Sequence, residues 1–373
     1  MDKLSLSDIR HKNRADVYRM IYEEGRISRS QIVNSLGLSL PTVNQHLADL
    51  IADGLIEQNG RLASSIGRRA AAYAVRSSVR FAVGLEVFAD RIAVVVSDLY
   101  FRPMIRQVIR KKFTKESDYF VELSRIVRDI LASGGYREKD LLGIGVAMQG
   151  LVSKDGEQMT YCKLLDCTGV TVRPMAERFS APVRFLHDSE CAADMQLAMD
   201  PSIVDAFYIS LSSNLGCAII RDGRISHGRS GRAGTVEHVT LDPSGPMCYC
   251  GKRGCMECYC SVNALLRQDE QLAEFMKTVR RGDPEATARW EVYLDWLATA
   301  LKDVHMILDC EIILGGHLAP YLTDDDIEVL FGKIRERTPF PDDENFLRIG
   351  TRKRDAIACG AALPFIRQFL ESV

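Results

Sequence analysis

The hydrophobic pattern changes its rhythm along the chain. From Asn13 to Glu24 apolar residues fall at Val17, Met20, Ile21 and Tyr22, the stripe of an amphipathic helix. Ser28-Arg29-Ser30-Gln31 has the form of a capping box and predicts a second helix through Ser35. Gly37 supplies a turn, and Ser39 caps a third helix that tolerates Pro41 in its first turn. Val43, Leu47, Leu50 and Ile51 share one face of that helix, and Gly54 stops it. Leu55-Ile56-Glu57 opens a strand, Asn59-Gly60 predicts a hairpin turn, and Arg61 starts the returning limb.

Beyond Phe81 the pattern becomes strand–helix alternation. Phe81–Phe88 and Arg91–Leu99 read as paired strands, followed by a long amphipathic helix near Tyr119 to Ser133. Leu141–Met148, closed by Gly150, is a further apolar run, as are Pro182–Asp188, Asp205–Ser213 and Glu311–Gly316. Such alternation predicts α/β layers, whose ligands sit beyond the carboxyl ends of the strands. His187-Asp188, Ser212 to Gly216 and Gly315-Gly316 occupy those ends.

Over residues 1–75 the elements predict a winged helix-turn-helix, with the third helix entering the DNA major groove. Its exposed N-terminal side carries Ser39, Thr42, Asn44, Gln45 and His46, short or amide side chains suited to phosphates and base edges. Arg61 and Ser64 to Arg69 form a basic wing. Gly67 lets the backbone approach a groove, and Arg68 and Arg69 can enter a narrow minor groove or clamp phosphates. The plain alternative is a three-helix protein-interaction module. Charge favours nucleic acid: residues 1–80 hold twelve Lys/Arg against eight Asp/Glu, although the chain as a whole carries −2.

The 373 residues, 46% of them hydrophobic, suffice for about two or three domains. No apolar run approaches the ~20 residues that cross a bilayer, and no signal peptide opens the chain. A cytoplasmic protein with no membrane partner is expected.

Between His238 and Cys260 lie five of the eleven cysteines and one of the seven histidines. Cys248-x-Cys250-Gly251-x-x-Gly254-Cys255 is spaced as a zinc clamp, closed upstream by His238. Glycines between thiolates let a short loop fold around an ion. Cys258 and Cys260 are spare candidates, so a four-cysteine site stays open. Cys162, Cys167, Cys191, Cys217, Cys310 and Cys359 read as buried small hydrophobes.

With these residues in view, the chain resembles a ROK-family transcriptional regulator. The resemblance rests on the winged helix-turn-helix, on Asp188 after Phe185-Leu186-His187, and on Cys248, Cys250, Gly251, Gly254, Cys255 and Glu257 of a Cys-x-Cys-Gly-x-x-Gly-Cys-x-Glu loop. It covers essentially the whole chain. It implies a two-lobed actin/hexokinase-like body over residues 76–373. Lobe one would span about 80–186 plus the C-terminal helix at about 355–373, and lobe two about 187–354. It also implies zinc on His238, Cys248, Cys250 and Cys255, and sugar-binding positions at Asp188, His238 and Glu257. Asp188 stands where the family's kinases place their general base.

Departures from the family pattern shape the functional expectation. Its kinases carry Asp-x-Gly-Gly-Thr in the first hairpin, where this chain has Leu85-Glu86-Val87-Phe88-Ala89-Asp90. Of the second phosphate loop, Ser212–Gly216 keeps only the last glycine. Phosphoryl transfer depends on positioning and charge neutralisation around the phosphates, so no catalytic residue is expected and Asp188 is a vestigial base. The family's Asn-Asp-x-Asn reads His187-Asp188-Ser189-Glu190. Its Gly-Glu-x-Gly-His reads Gly234-Thr235-Val236-Glu237-His238, with Thr235 where a glutamate grips sugar hydroxyls. His187, Asp188, Thr235, His238 and Glu257 are the candidate ligand residues. Asp188 and Glu257 also fit a plain role as helix-start residues.

The expected protein is therefore a repressor of carbohydrate-utilisation genes without kinase activity. It would bind a palindromic operator in double-stranded DNA as a homodimer or homotetramer, with half-sites about a helical turn apart or a multiple of that. A sugar or sugar derivative between the lobes would shift lobe closure and head spacing. The alternatives are an ATP-dependent sugar kinase fused to a DNA-binding domain, and a regulator whose body only dimerises.

Overall fold

Side-chain caps fix the start of each head helix. The computed structural model describes residues 5–62, 70–340, 344–351 and 355–373; Arg68 and Arg69 lie outside them. α1 (Leu6–Glu24) opens on a Ser5/Asp8 capping box, well before the Asn13 marked by the apolar stripe. After β1 (Ile27–Ser28), α2 (Arg29–Leu36) opens on the Ser28/Gln31 box and ends at Gly37 in the left-handed conformation. Ser39 caps α3 (Leu40–Ala52) by accepting the Thr42 N–H. β2 (Ile56–Arg61) and β3 (Ala71–Val75) complete a sheet of order β1-β3-β2.

Two expectations about the head are corrected. Asn59-Gly60 is not the hairpin turn. Both residues lie inside β2, whose pairing with β3 shifts register between Gln58 and Arg61, so Gly60 sits in a bulge. Arg61 therefore ends the outgoing strand instead of opening the returning one. His46 does not face solvent: it is 2% exposed and lies with Val43, Leu47 and Leu50 on the buried face of α3. The i, i+3, i+4, i+7 stripe runs through position 46, and that periodicity outweighs the polarity of the ring.

The body repeats one topology. β4 (Phe81–Val87), β5 (Arg91–Ser97) and β6 (Pro103–Arg110) form an antiparallel meander. α4 (Ser117–Ser133) follows, then β7 (Leu141–Met148), the short pair β8 (Leu151–Val152) and β9 (Met159–Tyr161), α5 (Arg173–Ala176) and β10 (Val183–His187). β7 and β10 join in parallel, giving order β10-β7-β4-β5-β6. Past α6 (Asp188–Met199), a second meander of β11 (Ala206–Ser210), β12 (Gly216–Arg221) and β13 (Arg224–Ile225) receives β14 and β15 in parallel. The order is β13-β12-β11-β14-β15. Between them run α7 (Glu257–Cys260), α8 (Val262–Leu265), α9 (Leu272–Arg280), α10 (Pro284–Leu308), β14 (Glu311–Gly315), α11 (Asp324–Arg335) and β15 (Leu347–Ile349). α12 (Ala356–Ser372) closes the chain. No helix among the described residues is long and apolar enough to cross a membrane.

α12 is the shared beam of the molecule. One of its faces lies on β4 and β7, and another on α6. At Gly360 the contact with α6 is so close that a Cβ would stand 1.9 Å from the Cys191 carbonyl oxygen. Its far end enters the head: Ala362, Phe365 and Ile366 join Val17, Tyr18, Ile21 and Leu50 in one buried cluster. Tyr18 meets Phe369 edge-on at 6.4 Å. Tyr22 stacks on Tyr100 at 4.5 Å, and the Tyr22 hydroxyl donates to the Leu99 carbonyl at 2.7 Å. Each such buried side chain contributes about 1.5–3 kcal/mol, so the head is docked on the body and not merely tethered to it.

Candidate ligand cleft and metal centre

The metal loop folds around its glycines. Gly254, at φ +66°, passes so close to Asp242 that a Cβ would stand 1.5 Å from its carbonyl oxygen. The Gly254 N–H donates to the Pro246 carbonyl and the Leu241 N–H to the Gly254 carbonyl, both at 2.8 Å. This turn brings one donor atom each from His238, Cys248, Cys250 and Cys255 within 4.8 Å of one another. His238 Nδ1 lies 3.7 Å from Cys248 Sγ, and Cys250 Sγ lies 3.6 Å from Cys255 Sγ. Tetrahedral ligands bound to zinc at usual bond lengths stand about 3.5–3.8 Å apart, so the four atoms fit such an ion. Burial raises the Cys248 and Cys255 thiols; a cation is what would hold them as thiolates. Neither Cys258 nor Cys260 belongs to this group of four.

His238 is also part of a cavity wall. A space of about 100 Å³ opens beside it, lined by His187, Asp188, Thr235, Glu237 and His238 together with Gln149, Tyr161, Lys163 and Tyr249. Burial raises Asp188; its Oδ1 accepts the Ser189 N–H at 2.8 Å, and His187 Nε2 lies 3.6 Å away. Thr235 reaches the wall with its hydroxyl donated to the Arg232 carbonyl at 2.9 Å. Four of the five expected ligand residues therefore meet here.

Glu257 does not reach the wall. It is 5% exposed at the start of α7, and its carboxylate accepts the Asn214 side-chain amide and the Leu215 N–H, both at 2.8 Å. It braces the loop beside the cleft. Glu237 is the residue that the sequence reading missed. A single 3-10 turn, Val236–His238, swings it inward, where it is 9% exposed with Oε2 lacking any hydrogen-bond partner. Burial pushes it up to about 7. The five-residue segment already contained this carboxyl, two positions from the threonine assigned to the glutamate's role.

Asp188 also opens onto a second compartment of about 260 Å³, lined by Glu86–Arg91 of the β4–β5 hairpin and by Ser212, Ser213, Asn214 and Gly216. The two hairpins of the repeated topology thus face each other across it. Burial pushes Glu86 up to about 8, and the nearby Asp188 carboxyl adds to the shift. Arg91 lies over the Phe88 ring at 3.8 Å and pairs with Asp90 at 3.0 Å. Ser212 Oγ accepts the His317 N–H at 3.1 Å.

On the head, Ser39 and Thr42 share a hydroxyl contact at 2.8 Å at the start of α3. Asn44 and Gln45 are exposed; Gln45 donates to Asp49 at 2.8 Å, and Asn44 accepts from Arg29 of α2 at 3.0 Å. Arg29 was not foreseen, because only the packing of α2 on α3 places it on that surface.

Comparison with known proteins places these features. Residues 82–334 match the ROK family, and residues 10–57 match a winged helix-turn-helix DNA-binding family. The xylose repressor of Caldicellulosiruptor bescii is 25% identical over 75% of this chain and 69% of its own length. The DNA-binding transcriptional dual regulator NagC of Escherichia coli is 27% identical over 70% of this chain and 64% of its own. Among solved structures, a ROK family transcriptional regulator, homolog of the E. coli MLC protein, superposes with a TM-score of 0.79. It is 20% identical and covers 98% of this chain and 97% of its own. The ROK hexokinase of Thermus thermophilus superposes with 0.63 at 23% identity, over 76% of this chain and 97% of its own. The kinase likeness stops at the body, whereas the regulator likeness includes the head. The body matches along most of its length, and the chain belongs to the ROK family.

Proposed function

We propose that this protein is a DNA-binding transcriptional regulator whose cleft senses a sugar or sugar derivative. The observation that carries the reading is α12. It is in contact with α6, which starts at Asp188 in the cleft, and with the head core through Phe365 and Ile366. A ligand that prefers one arrangement of the sheets therefore acts on the position of the head. The relatives named for xylose and N-acetylglucosamine support a sugar as the ligand class, and repression of carbohydrate genes as the role. Asp188, His187, Thr235, His238 and Glu237 are the groups proposed to hold its hydroxyls. Zinc on His238, Cys248, Cys250 and Cys255 would stiffen that wall.

The cleft is read as non-catalytic. A nucleotide triphosphate would meet Glu86 and Asp188, while Arg91 is engaged by Asp90 and Phe88. The Asn214 amide and the Leu215 N–H, which would be phosphate donors, are held by Glu257. We place the protein in the cytoplasm, as a homodimer or homotetramer on a palindromic operator. Ser39, Thr42, Asn44, Gln45, Arg61 and Arg29 are the described residues proposed to meet DNA, and Arg68 and Arg69 the wing residues.

The test is a mobility-shift assay on DNA upstream of the protein's own gene. Salt-sensitive binding that a sugar reverses is expected. Failure of the metal-loaded protein to bind any such DNA would end the reading. Calorimetry with magnesium ATP should be flat; hexose-dependent turnover would establish a kinase instead.

A further inference from the structure

The space beside His238 is small for the whole of a sensor's ligand. Small-molecule sites run to roughly 300–1,000 Å³, and this one holds about 100 Å³. It does not end there. Gln149, Leu164 and Asp188 line both it and the 260 Å³ compartment of the β4–β5 hairpin, so the two volumes adjoin. Joined, they reach the lower end of the usual range. The walls of the second compartment select its occupant. Glu86 and Asp188 would repel an anion, and Arg91 a cation. The Asn214 amide is already donated to Glu257 at 2.8 Å. What is left is a lining of hydroxyls and carboxyls, which pairs best with neutral hydroxyl groups, each able to donate and to accept. The same compartment reaches Ile357 in the first turn of α12, whereas no described residue of that helix lines the first space.

We propose that the cleft takes an uncharged disaccharide, with one ring beside His187 and Thr235 and the second between the β4–β5 hairpin and the Ser212–Gly216 loop. The linkage between the rings would lie at Asp188 and Gln149, the polar residues common to both spaces. The second ring is the part that meets both hairpins and α12 at once. It therefore supplies the preference for one arrangement of the sheets that moves the head. The inference rests on the reading of the cleft as a sugar sensor, and adds to it the length and the neutrality of the ligand.

Calorimetry on the full-length, metal-loaded protein compares matched probes: glucose with cellobiose and maltose, xylose with xylobiose, N-acetylglucosamine with diacetylchitobiose, and each monosaccharide with its phosphate. One disaccharide is expected to bind about tenfold or more tighter than its own monosaccharide, the gain from about two further hydrogen bonds. Ser213 lines the second compartment and not the first. Ser213→Tyr should remove that gain and leave the monosaccharide affinity in place. A monosaccharide or its phosphate bound as tightly as any disaccharide would overturn the inference while the cleft stayed a sugar sensor. So would a Ser213→Tyr variant that keeps the full gain. Binding of no sugar of either length would sink the sensor reading itself, and this one with it. If Ser213→Tyr does not fold, the paired affinities of the unaltered chain still decide.

Discussion

The cysteine loop and the cleft share His238 yet are built in opposite ways. The loop takes all four candidate ligand atoms from one stretch, His238 to Cys255, and turns them inward with glycine. The cleft gathers its wall from separate segments: the end of β7, the turn after β9, the β10–α6 junction and the turn before His238. A short-range site depends on spacing, so it survives small shifts of the sheets around it. A long-range site depends on the packing of both halves, so it changes whenever they move. A sensor needs the second property at its pocket and gains from the first beside it.

The largest effect expected from breaking this contrast is at the loop. Cys250→Ser, or removal of the metal by a chelator, should destabilise the protein by more than about 4 kcal/mol, because metal affinity is folding free energy for such loops. Thermal melts with metal analysis check it. A melting point unmoved by chelation would make the cluster a set of ordinary thiols.

Asp188→Asn should leave the fold intact and weaken sugar binding by about 2–3 kcal/mol, by loss of a charged hydrogen-bond partner. Glu237→Gln should weaken it by about 1–2 kcal/mol. Calorimetry against a panel of sugars reads both. Unchanged affinity in the two variants would move the ligand out of this cavity.

pH acts on the assembled site and not on local spacing. Glu86 holds its proton up to about 8 when folded, against 4.5 as the ordinary value. Folding thus takes up a proton between those values. The associated stability is complete below 4.5 and is lost as pH rises through about 8. The groups around it are Asp188 and Asp355, which oppose ionisation, and Arg91, which favours it. Glu86→Gln should flatten the slope of melting point against pH across that window; an identical slope would show that Glu86 does not carry it.

The smallest effect belongs to Arg29, another residue positioned by packing. Arg29→Ala should cost about 1 kcal/mol in DNA affinity and reduce the salt dependence by about one phosphate contact. Binding titrations at several salt concentrations measure both; an unchanged salt dependence would remove Arg29 from the DNA surface.

Much was legible before any fold was seen. The capping boxes and the apolar strand runs set the helices of the head and the strands of the body, because caps and periodicity act over a few residues. The grouping of His238 with Cys248, Cys250 and Cys255, which could hold a metal ion, was foreshadowed for the same reason, although the spacing also left Cys258 and Cys260 open. Where local cues competed, they misled. Asn59-Gly60 resembled a turn but lies in a bulge, and His46 looked solvent-facing but completes the buried stripe of α3.

By itself, then, the sequence determined the local units: a capped three-helix head, two sets of strands, and a loop spaced for a tetrahedral ion. Only the tertiary structure decided that Glu237 points into the cleft while Glu257 braces the Ser212–Gly216 loop behind it. It also decided that α12 joins cleft to head through Gly360 and Phe365. The physical reason is range. Caps, turns and ligand spacing are satisfied within a few residues, whereas the surroundings of a buried carboxyl such as Glu257 are set by residues 42 and 43 positions away, and the surface that α12 covers by the far end of the chain, segments that meet only when the sheets pack.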